Sequence, residues 1–220
     1  MTMAPNGNGN GNGRCRIVLT GGPGGGKTTA AALYRRELGE RIVVVPEAAT
    51  LLFAGGFPRS PEPHARASAQ RAIFHVQRNV EDVQSALYPG RILLCDRGTV
   101  DGAVYWPAAP AAPGGPSSTP AADPDGFFAA LGTTRARELD RYDAVLFFET
   151  AAVGGITIEG GNPARIENAA EAVALDHALR ALWADHPRFV LVPHQASFLA
   201  KINAGLDALR QVVRELAPAV

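Results

Sequence analysis

The sequence has few cysteines, no long hydrophobic run and no excess of charge of one sign. Its two cysteines, Cys15 and Cys95, do not form a CxxC pair, which indicates reduced thiols and predicts a cytoplasmic protein. No apolar run approaches the roughly 20 residues that a membrane-spanning helix needs. The 21 basic residues balance the 21 acidic ones. Net charge therefore gives no reason to expect binding to nucleic acid or to an anionic membrane.

The sequence also lacks the signatures of transition-metal and acyl-transfer sites. None of its five histidines pairs with another histidine, a cysteine or an acid at metal-ligand spacing. No GxSxG nucleophile motif occurs. Residues 1–14 contain an Asn-Gly repeat and no apolar segment, so they are expected to be a disordered tail rather than a targeting signal.

Five short apolar runs alternate with helical patterns along the rest of the chain. The runs are rich in β-branched residues and predict strands buried on both faces at 17–20, 42–45, 92–95, 145–148 and 189–192. The patterns between and after them predict helices at 28–38, 65–88, 127–139, 165–183 and 196–216. This order predicts an α/β fold in three layers, with a parallel sheet of about five strands flanked by helices. Residues 15–220 are expected to form a single domain.

One segment, residues 107–126, interrupts this alternation because it is rich in proline, alanine and glycine. Such a composition predicts a mobile loop rather than a strand or a helix. The loop is either a tolerated insertion or a flap over a substrate, since it follows the third predicted strand.

A glycine-rich stretch lies directly between the first predicted strand and the first predicted helix. Gly21, Gly26, Lys27 and Thr28 match the GxxxxGK[ST] pattern in the context that makes it specific. The predicted phosphate-binding loop consists of Gly21, Gly22, Pro23, Gly24, Gly25, Gly26, Lys27, Thr28 and Thr29. A flexible linker would not explain the lysine and threonine at these offsets.

The chemistry of this loop points to a nucleoside triphosphate. Glycines allow consecutive backbone N–H groups to surround a phosphate, and the following helix adds the positive end of its dipole. Lys27 is expected to reach the outer phosphates, and the Thr28 hydroxyl is expected to bind Mg²⁺. The expected ligands are therefore Mg²⁺ with ATP or GTP.

Two charged residues follow the third predicted strand. Asp96 is placed to hold Mg²⁺ through water, although it could also be a simple strand cap. A motor-type ATPase would usually have a second acid next, whereas Arg97 suits recognition of an anion. No NKxD sequence occurs, so nothing in the sequence selects guanine.

A third charged residue, Glu47, follows the second predicted strand. Ligands of open α/β sheets bind at the carboxyl ends of the strands, so this carboxylate is expected beside the triphosphate. There it could accept a proton from an acceptor hydroxyl that attacks the γ-phosphate. The alternative is a solvated or ion-paired glutamate without a catalytic role.

Five blocks of sequence in this order carry a resemblance to a known family. They are GGPGGGKTT, VVVPEAATLLFAGG, DRGTVDGAVYW, YDAVLFFET and NPARIENAAEAVALDHALRALW. Together they resemble the AAA-like family of P-loop kinases that groups the kinase domain of NadR with the TRPL translocation defect protein, over about residues 16–192. The resemblance implies either phosphorylation of a small molecule, as in the NadR branch, or binding of GTP and phosphoinositides, as in the other branch.

The resemblance also implies a lid and an acceptor site. The lid candidate is 154–165, where Arg165 could neutralise charge on the transferred phosphoryl group. Alternatively, Arg165 forms an intrahelical pair with Glu167 or Glu171. Candidates for binding a phosphorylated or polyhydroxyl acceptor, or a lipid head group, are Arg66, Arg71 and Arg78. A solvated helix face would equally explain these three arginines.

The sequence thus predicts a Mg²⁺-dependent small-molecule kinase. Its candidate catalytic residues are Lys27, Glu47, Asp96, Arg97 and Arg165. The alternative is a nucleotide-dependent protein that binds a phosphoinositide or another phosphorylated ligand, with peripheral contact to a lipid head group. A simple ATPase is the lesser alternative.

Overall fold

The computed structural model describes residues 15–107, 123–155 and 168–216. The predicted tail at 1–14, most of the predicted loop at 107–126 and most of the lid candidate at 154–165 lie outside these ranges. The predictions made for those segments, and the prediction of a single domain, stay predictions.

A parallel sheet of five strands forms the centre of the described structure. The strands are β1 (Cys15–Thr20), β2 (Ile42–Val45), β3 (Ile92–Asp96), β4 (Ala144–Phe148) and β5 (Phe189–Val192). They lie in the order β2-β3-β1-β4-β5, and every neighbouring pair is parallel. The predicted α/β fold with a parallel sheet of about five strands is confirmed.

Helices cover both faces of the sheet. Within the described residues they are α1 (Lys27–Leu38), α2 (Ala48–Ala54), α3 (Pro63–Leu87), α4 (Pro124–Ala130), α5 (Arg135–Leu139), α6 (Ala169–Trp183) and α7 (Phe198–Leu216). None of them is long and apolar enough to cross a membrane. Short 3₁₀ turns follow α1, β3 and β4, at Gly39–Arg41, Asp101–Tyr105 and Ala151–Gly154.

Three helical predictions differ from the structure. The short helix α2 was not predicted, because seven residues give too little periodicity. The single helix predicted at 127–139 is two helices, since Gly132 has a φ of 64° and the Thr134 side chain caps α5. The helix predicted from residue 165 begins at Ala169, where Asn168 and Glu171 form a capping box.

The sheet packs against an apolar layer on each face, which explains why the strand sequences are continuous hydrophobic runs. On one face, Val18 and Phe147 pack with Trp183 of α6 in a core that also includes Phe74 and Phe127. On the other face, side chains such as Ile17 and Leu146 pack with α1 and α7. Successive residues of a strand point to opposite faces, so a sheet covered on both sides requires an apolar residue at nearly every position.

The topology fixes where a ligand can bind. β1 and β3 are neighbours, but the chain that leaves β1 runs to β2 at one edge of the sheet, whereas the chain that leaves β3 runs to β4 on the other side of β1. In open α/β sheets, the crevice at the carboxyl ends of such strands is the usual ligand site. The glycine-rich loop that follows Thr20 lies there.

Candidate functional site

The glycine-rich loop between β1 and α1 has a backbone that few other residues could adopt. Gly21, Gly24 and Gly26 have φ angles of 130°, 77° and 85°. A Cβ on Gly21 would lie 2.1 Å from the backbone oxygen of Phe148, and one on Gly25 would lie 2.7 Å from the same atom. The loop therefore needs glycine both for its turns and for its close approach to the end of β4.

Several backbone N–H groups of this loop lack an acceptor within the described residues. They belong to Gly24, Gly26, Lys27 and Thr28. The N-terminus of a helix carries a partial positive charge, and unpaired N–H groups there bind anions such as phosphate. The loop thus has the properties of an anion cradle.

Lys27 lies inside the loop rather than in solvent. Its Nζ donates to the carbonyl oxygens of Gly21 and Gly22, both at 2.8 Å, and the residue is only 7% exposed. Burial, helped by the nearby Arg97 guanidinium, lowers the pKa of Lys27 to about 7. An ammonium has three N–H donors, so one is left for a phosphate oxygen.

Asp96 and Thr28 meet beside this lysine. Thr28 Oγ1 donates to Asp96 Oδ2 at 2.6 Å, whereas Asp96 Oδ1 is buried and has no hydrogen-bond partner in the described part of the chain. Burial raises the pKa of Asp96, although the Thr28 hydroxyl acts in the opposite direction. A buried carboxylate with an unpartnered oxygen is costly unless a ligand or an ion completes it.

These two residues fit a Mg²⁺ ion that also binds phosphate. Carboxylate and hydroxyl oxygens are hard ligands, and Mg²⁺ usually takes one or two protein oxygens together with phosphates and water. Within the described residues, no group of three or more His, Cys, Asp or Glu side chains could hold a metal ion. Thr28 and Asp96 would therefore hold Mg²⁺ jointly with a triphosphate.

Glu47 and Arg97 form an ion pair at the same edge. Arg97 Nε lies 2.6 Å from Glu47 Oε1, and the Thr50 hydroxyl donates to Glu47 Oε2. Burial alone would raise the pKa of Glu47, but Arg97 and Thr50 outweigh it, so the pKa is lowered. Glu47 is therefore an ionised hydrogen-bond acceptor at neutral pH.

Arg97 is held in an unusual conformation. It has a φ of 72°, within the described residues the only positive φ of a non-glycine residue. Its guanidinium is fixed on a second side by Asp101, whose Oδ2 lies 3.0 Å from Arg97 Nη1. Strained backbone that its surroundings maintain is typical of functional sites.

Asp101 also belongs to this group of charged side chains, but the sequence pattern did not identify it as a site residue. It is 3% exposed and also accepts from Thr20 Oγ1 at 2.8 Å and from Trp183 Nε1 at 2.7 Å. Its only sequence signal is its position four residues after Arg97, which is not specific. The bond to Trp183 depends on a residue 82 positions away and could not be predicted.

We call Lys27, Thr28, Glu47, Asp96 and Arg97 the sheet-edge cluster. Hydrogen bonds join Thr28 to Asp96 and Arg97 to Glu47. The charges of Glu47, Asp96 and Arg97 affect the pKa of Lys27, and Thr28 contacts Asp96. The structure thus brings together these predicted site residues from three strand ends. Their catalytic roles stay predictions.

The remaining predicted site residues have other surroundings. Arg66 donates to the carbonyl oxygen of Tyr105 at 3.0 Å, and the Arg71 guanidinium lies 5.1 Å from the ring centre of Trp106. Arg78 lies 3.5 Å from Glu138 Oε1 and is partly buried. Arg165 lies outside the described residues. The predicted contacts of the three α3 arginines to an acceptor stay predictions.

A cavity lies beside the phosphate loop, and a groove lies along the segment that follows Glu47. The cavity, of about 190 Å³, is lined by Gly24, Gly25, Ala151, His194, Gln195, Ala196, Phe198 and Lys201. The groove, of about 530 Å³, is open and apolar and is lined by Leu51, Leu52, Gly55, Gly56, Phe57, Pro58 and Val76. The first continues from the phosphate cradle, and the second is lined by the helix that follows Glu47.

Comparisons with known proteins agree with this geometry. A family model described as an AAA domain matches residues 16–198. No curated protein matches the chain. The crystal structure of NadR protein in complex with NAD and AMP-PNP superposes with a TM-score of 0.55 at 15% sequence identity. The match covers 94% of this chain and 51% of the NadR chain, so the chain spans about half the length of that structure. At this identity the likeness concerns the fold alone.

Proposed function

Because the chain belongs to this AAA-domain family and has the P-loop NTPase fold, we propose that it is a Mg²⁺-dependent small-molecule kinase. It binds a nucleoside triphosphate on the glycine-rich loop and transfers the γ-phosphoryl group to a small acceptor. One observation carries the proposal: an ionised Glu47 lies in the same cluster as Lys27, Thr28 and Asp96. A protein that only bound nucleotide would not need this second carboxylate, and a motor-type ATPase would usually carry its second acid directly after Asp96, where this chain has Arg97.

The phosphate loop holds the donor. The free N–H groups at the start of α1 bind phosphate oxygens, and the third N–H of Lys27 contacts the outer phosphates. Thr28 and Asp96 hold Mg²⁺, which supplies charge neutralisation to the phosphates when it is bound. The cavity beside Gly24 and Gly25 has a suitable position and volume for the base of the nucleotide. ATP and GTP are both candidate donors.

Glu47 receives the proton of the acceptor. In the transfer, the acceptor oxygen forms a bond to the γ-phosphorus, the bond from that phosphorus to the β–γ bridging oxygen breaks, and a nucleoside diphosphate leaves. The proton of the acceptor hydroxyl passes to Glu47. Because Arg97 and Thr50 keep this carboxylate ionised, it is in the correct protonation state to accept at neutral pH.

Arg97 stabilises the transferred charge. Its Nε and Nη1 are committed to Glu47 and Asp101, whereas Nη2 donates to no group within the described residues. A guanidinium fixed in this way can direct its remaining N–H groups at the γ-phosphate. The two carboxylates thus orient the arginine before a ligand arrives, which reduces the reorganisation required in the transition state.

The decisive experiment replaces Glu47 by glutamine and measures phosphoryl transfer to a panel of nucleosides, nucleotides and sugars with ATP or GTP. We expect turnover to fall about 10²–10⁴-fold, the usual contribution of a general base. Nucleotide affinity should change little, because Glu47 is assigned to the acceptor. The exposed Glu62, which makes no side-chain cap at the start of α3, gives the matched control Glu62→Gln.

Two outcomes would contradict the kinase proposal. One is that no acceptor of the panel is phosphorylated by the wild-type protein. The other is that Glu47→Gln leaves turnover unchanged. Steady phosphate release without any acceptor would instead indicate a simple ATPase.

A second candidate function is nucleotide-dependent binding of a phosphoinositide or another phosphorylated ligand without transfer. The exposed Arg66 and Arg71 favour it, because their contacts to Tyr105 and Trp106 hold both guanidinium groups near the turn that contains Asp101. Guanidinium groups recognise phosphates well. Titration with phosphoinositide-containing vesicles, with and without nucleotide, tests this function. Absence of saturable, nucleotide-sensitive binding would eliminate it.

A further inference from the structure

Two buried charged side chains from the last two helices reach the phosphate loop from outside. Asp176 of α6 is 1% exposed, and Lys201 of α7 is 3% exposed. Neither belongs to the glycine-rich motif, and neither lies in the sheet-edge cluster. Ionisable side chains are rarely buried to this extent unless specific partners hold them.

Asp176 joins the loop to Thr150, which lies two residues after the end of β4. Its Oδ1 accepts from the backbone N–H of Gly22 at 2.7 Å and from that of Thr150 at 2.9 Å. The approach is close, since a Cβ on Gly22 would lie 2.6 Å from the same oxygen. The carboxylate therefore occupies the Gly22 N–H and fixes the start of the loop.

Lys201 makes the complementary connection. Its Nζ donates to the carbonyl oxygen of Gly25 at 2.8 Å and also to that of Glu149. Its ammonium lies 5.7 Å from the ring centre of Phe148, the last residue of β4. Lys201 therefore fixes the middle of the loop against the same end of the same strand.

Both side chains bridge the same two segments, one by accepting two N–H groups and the other by donating to two carbonyl oxygens. The segments are the loop at 22–25 and the strand end at 149–150. We propose that Asp176 and Lys201 are positioning residues that form a brace, which sets the shape of the phosphate loop before nucleotide binds. The same two segments are also linked directly, because the Thr150 hydroxyl donates to the carbonyl oxygen of Pro23.

The brace reduces the conformational freedom that a loop with so many glycines would otherwise have. An unrestrained glycine-rich loop samples many conformations, and ordering it on binding would weaken affinity for the ligand. Burial lowers the pKa of Lys201 to about 8 and raises that of Asp176. The two backbone partners that each charge has in the folded protein offset this cost.

The effect on nucleotide affinity rests on the proposed function, but the shape of the loop can be tested without nucleotide. The first measurement is amide hydrogen exchange, residue by residue, in the nucleotide-free protein. Gly24 provides an internal control, since its N–H has no acceptor within the described residues. We expect the Gly22 and Thr150 amides to exchange at least about 10-fold more slowly than the Gly24 amide.

Asp176→Ala should make the Gly22 amide exchange as fast as that of Gly24. It should also weaken binding of Mg²⁺·AMP-PNP or of the corresponding GTP analogue by about 10-fold. Asp176→Asn keeps an oxygen that can accept both N–H groups and should restore affinity to within about 3-fold of wild type. Lys201→Met should weaken nucleotide binding in the same way, whereas Arg214→Met, an exposed cation on the same helix, should not.

The outcomes separate the brace from a merely structural role. If Asp176→Ala folds with lower stability but binds nucleotide like wild type, the proposal is overturned. It is also overturned if the wild-type Gly22 and Thr150 amides are protected only after nucleotide is added, a result that needs no variant to fold. If wild type binds no nucleotide but its Gly22 amide is protected, the brace stands and the proposed function fails.

Discussion

Two buried charge clusters of the protein differ in how completely their own side chains satisfy one another. Glu81 of α3 is 0% exposed, and both of its carboxylate oxygens have partners. We call Glu81 and these partners, which are Arg16, Gln77, Arg141 and Tyr142, the Glu81 cluster. In the sheet-edge cluster, by contrast, Asp96 Oδ1 is buried without a hydrogen bond or an ion pair within the described residues.

The difference distinguishes structural from functional charge. Other atoms near Glu81 also lack hydrogen bonds, but Arg16 Nε is 3.8 Å from Glu81 and Arg141 Nε is 3.5 Å from Glu138. Opposite charges therefore compensate one another within the Glu81 cluster and between it and the neighbouring Glu138. At the sheet edge, Asp96 Oδ1 has no hydrogen-bond partner and Lys27 Nζ donates to only two acceptors among the described residues, so an oxygen and an N–H remain available to a ligand.

The two clusters are also connected. Gln77 Nε2 donates to Glu81 Oε1 at 3.0 Å and to the carbonyl oxygen of Arg97 at 3.2 Å. The closed cluster thereby supports the backbone of the strained arginine in the open one. We infer that stability depends mainly on the first cluster and ligand binding mainly on the second.

The largest expected effect is on stability. Glu81→Ala removes the shared partner of Arg16 and Arg141 and leaves buried positive charge, so it should lower the free energy of unfolding by about 3–5 kcal/mol. Denaturant unfolding measures this change. The neighbouring Asp82, whose side chain is 59% exposed, also pairs with Arg16, and Asp82→Ala should cost about 1 kcal/mol or less. Equal costs for the two variants would contradict the assignment of the Glu81 cluster.

The next effect concerns Mg²⁺. Asp96→Asn keeps an acceptor for Thr28 but removes the charge, so the gain in nucleotide affinity that Mg²⁺ provides should fall by about 10–100-fold. Because burial raises the pKa of Asp96, the neutral variant should be no less stable than wild type. Titrations of a nucleotide analogue with Mg²⁺ and with EDTA measure the difference. An unchanged effect of Mg²⁺ would show that Asp96 does not hold the ion.

The smallest effect is a pH dependence. The pKa of Lys27 is lowered to about 7 in the free protein, and a bound triphosphate favours its charged form. Affinity should therefore be highest below pH 7 and fall as pH rises above it, by at most about tenfold per pH unit. Lys27→Arg retains its charge and should flatten this dependence above pH 7. A wild-type affinity that rose between pH 7 and pH 9 would contradict the role of Lys27.

The sequence allowed the fold to be predicted because its signals were local. Each strand is a continuous apolar run, and Gly21, Gly26, Lys27 and Thr28 lie at the offsets that a phosphate loop requires. The placement of Glu47 and Asp96 at one edge could be predicted for a related reason, since parallel strands bring the residues at and after their carboxyl ends to the same edge. The errors concerned the short helix α2 and helix boundaries that depend on caps, such as Asn168 and Thr134.

The parts of the site that were missed depend on contacts between distant residues. Asp101 is held by Thr20 and Trp183, which lie 81 and 82 positions away, and Lys201 reaches a loop residue 176 positions away. On α6, Asp176 has the sequence pattern of an ordinary polar helical residue. Only packing of the helix against the loop shows its partners, and no periodicity or motif encodes that arrangement.

The most direct test of the central claim, that the glycine-rich loop is a triphosphate cradle, is calorimetric titration of wild type and Lys27→Met with Mg²⁺-bound ATP and GTP analogues. We expect saturable binding of at least one analogue by wild type, and a loss of about 2–5 kcal/mol of binding free energy in the variant. Because Lys27 is buried with a lowered pKa, the variant should unfold no more easily than wild type at pH 7. Equal affinity in a folded Lys27→Met, or no binding by wild type, would contradict the claim.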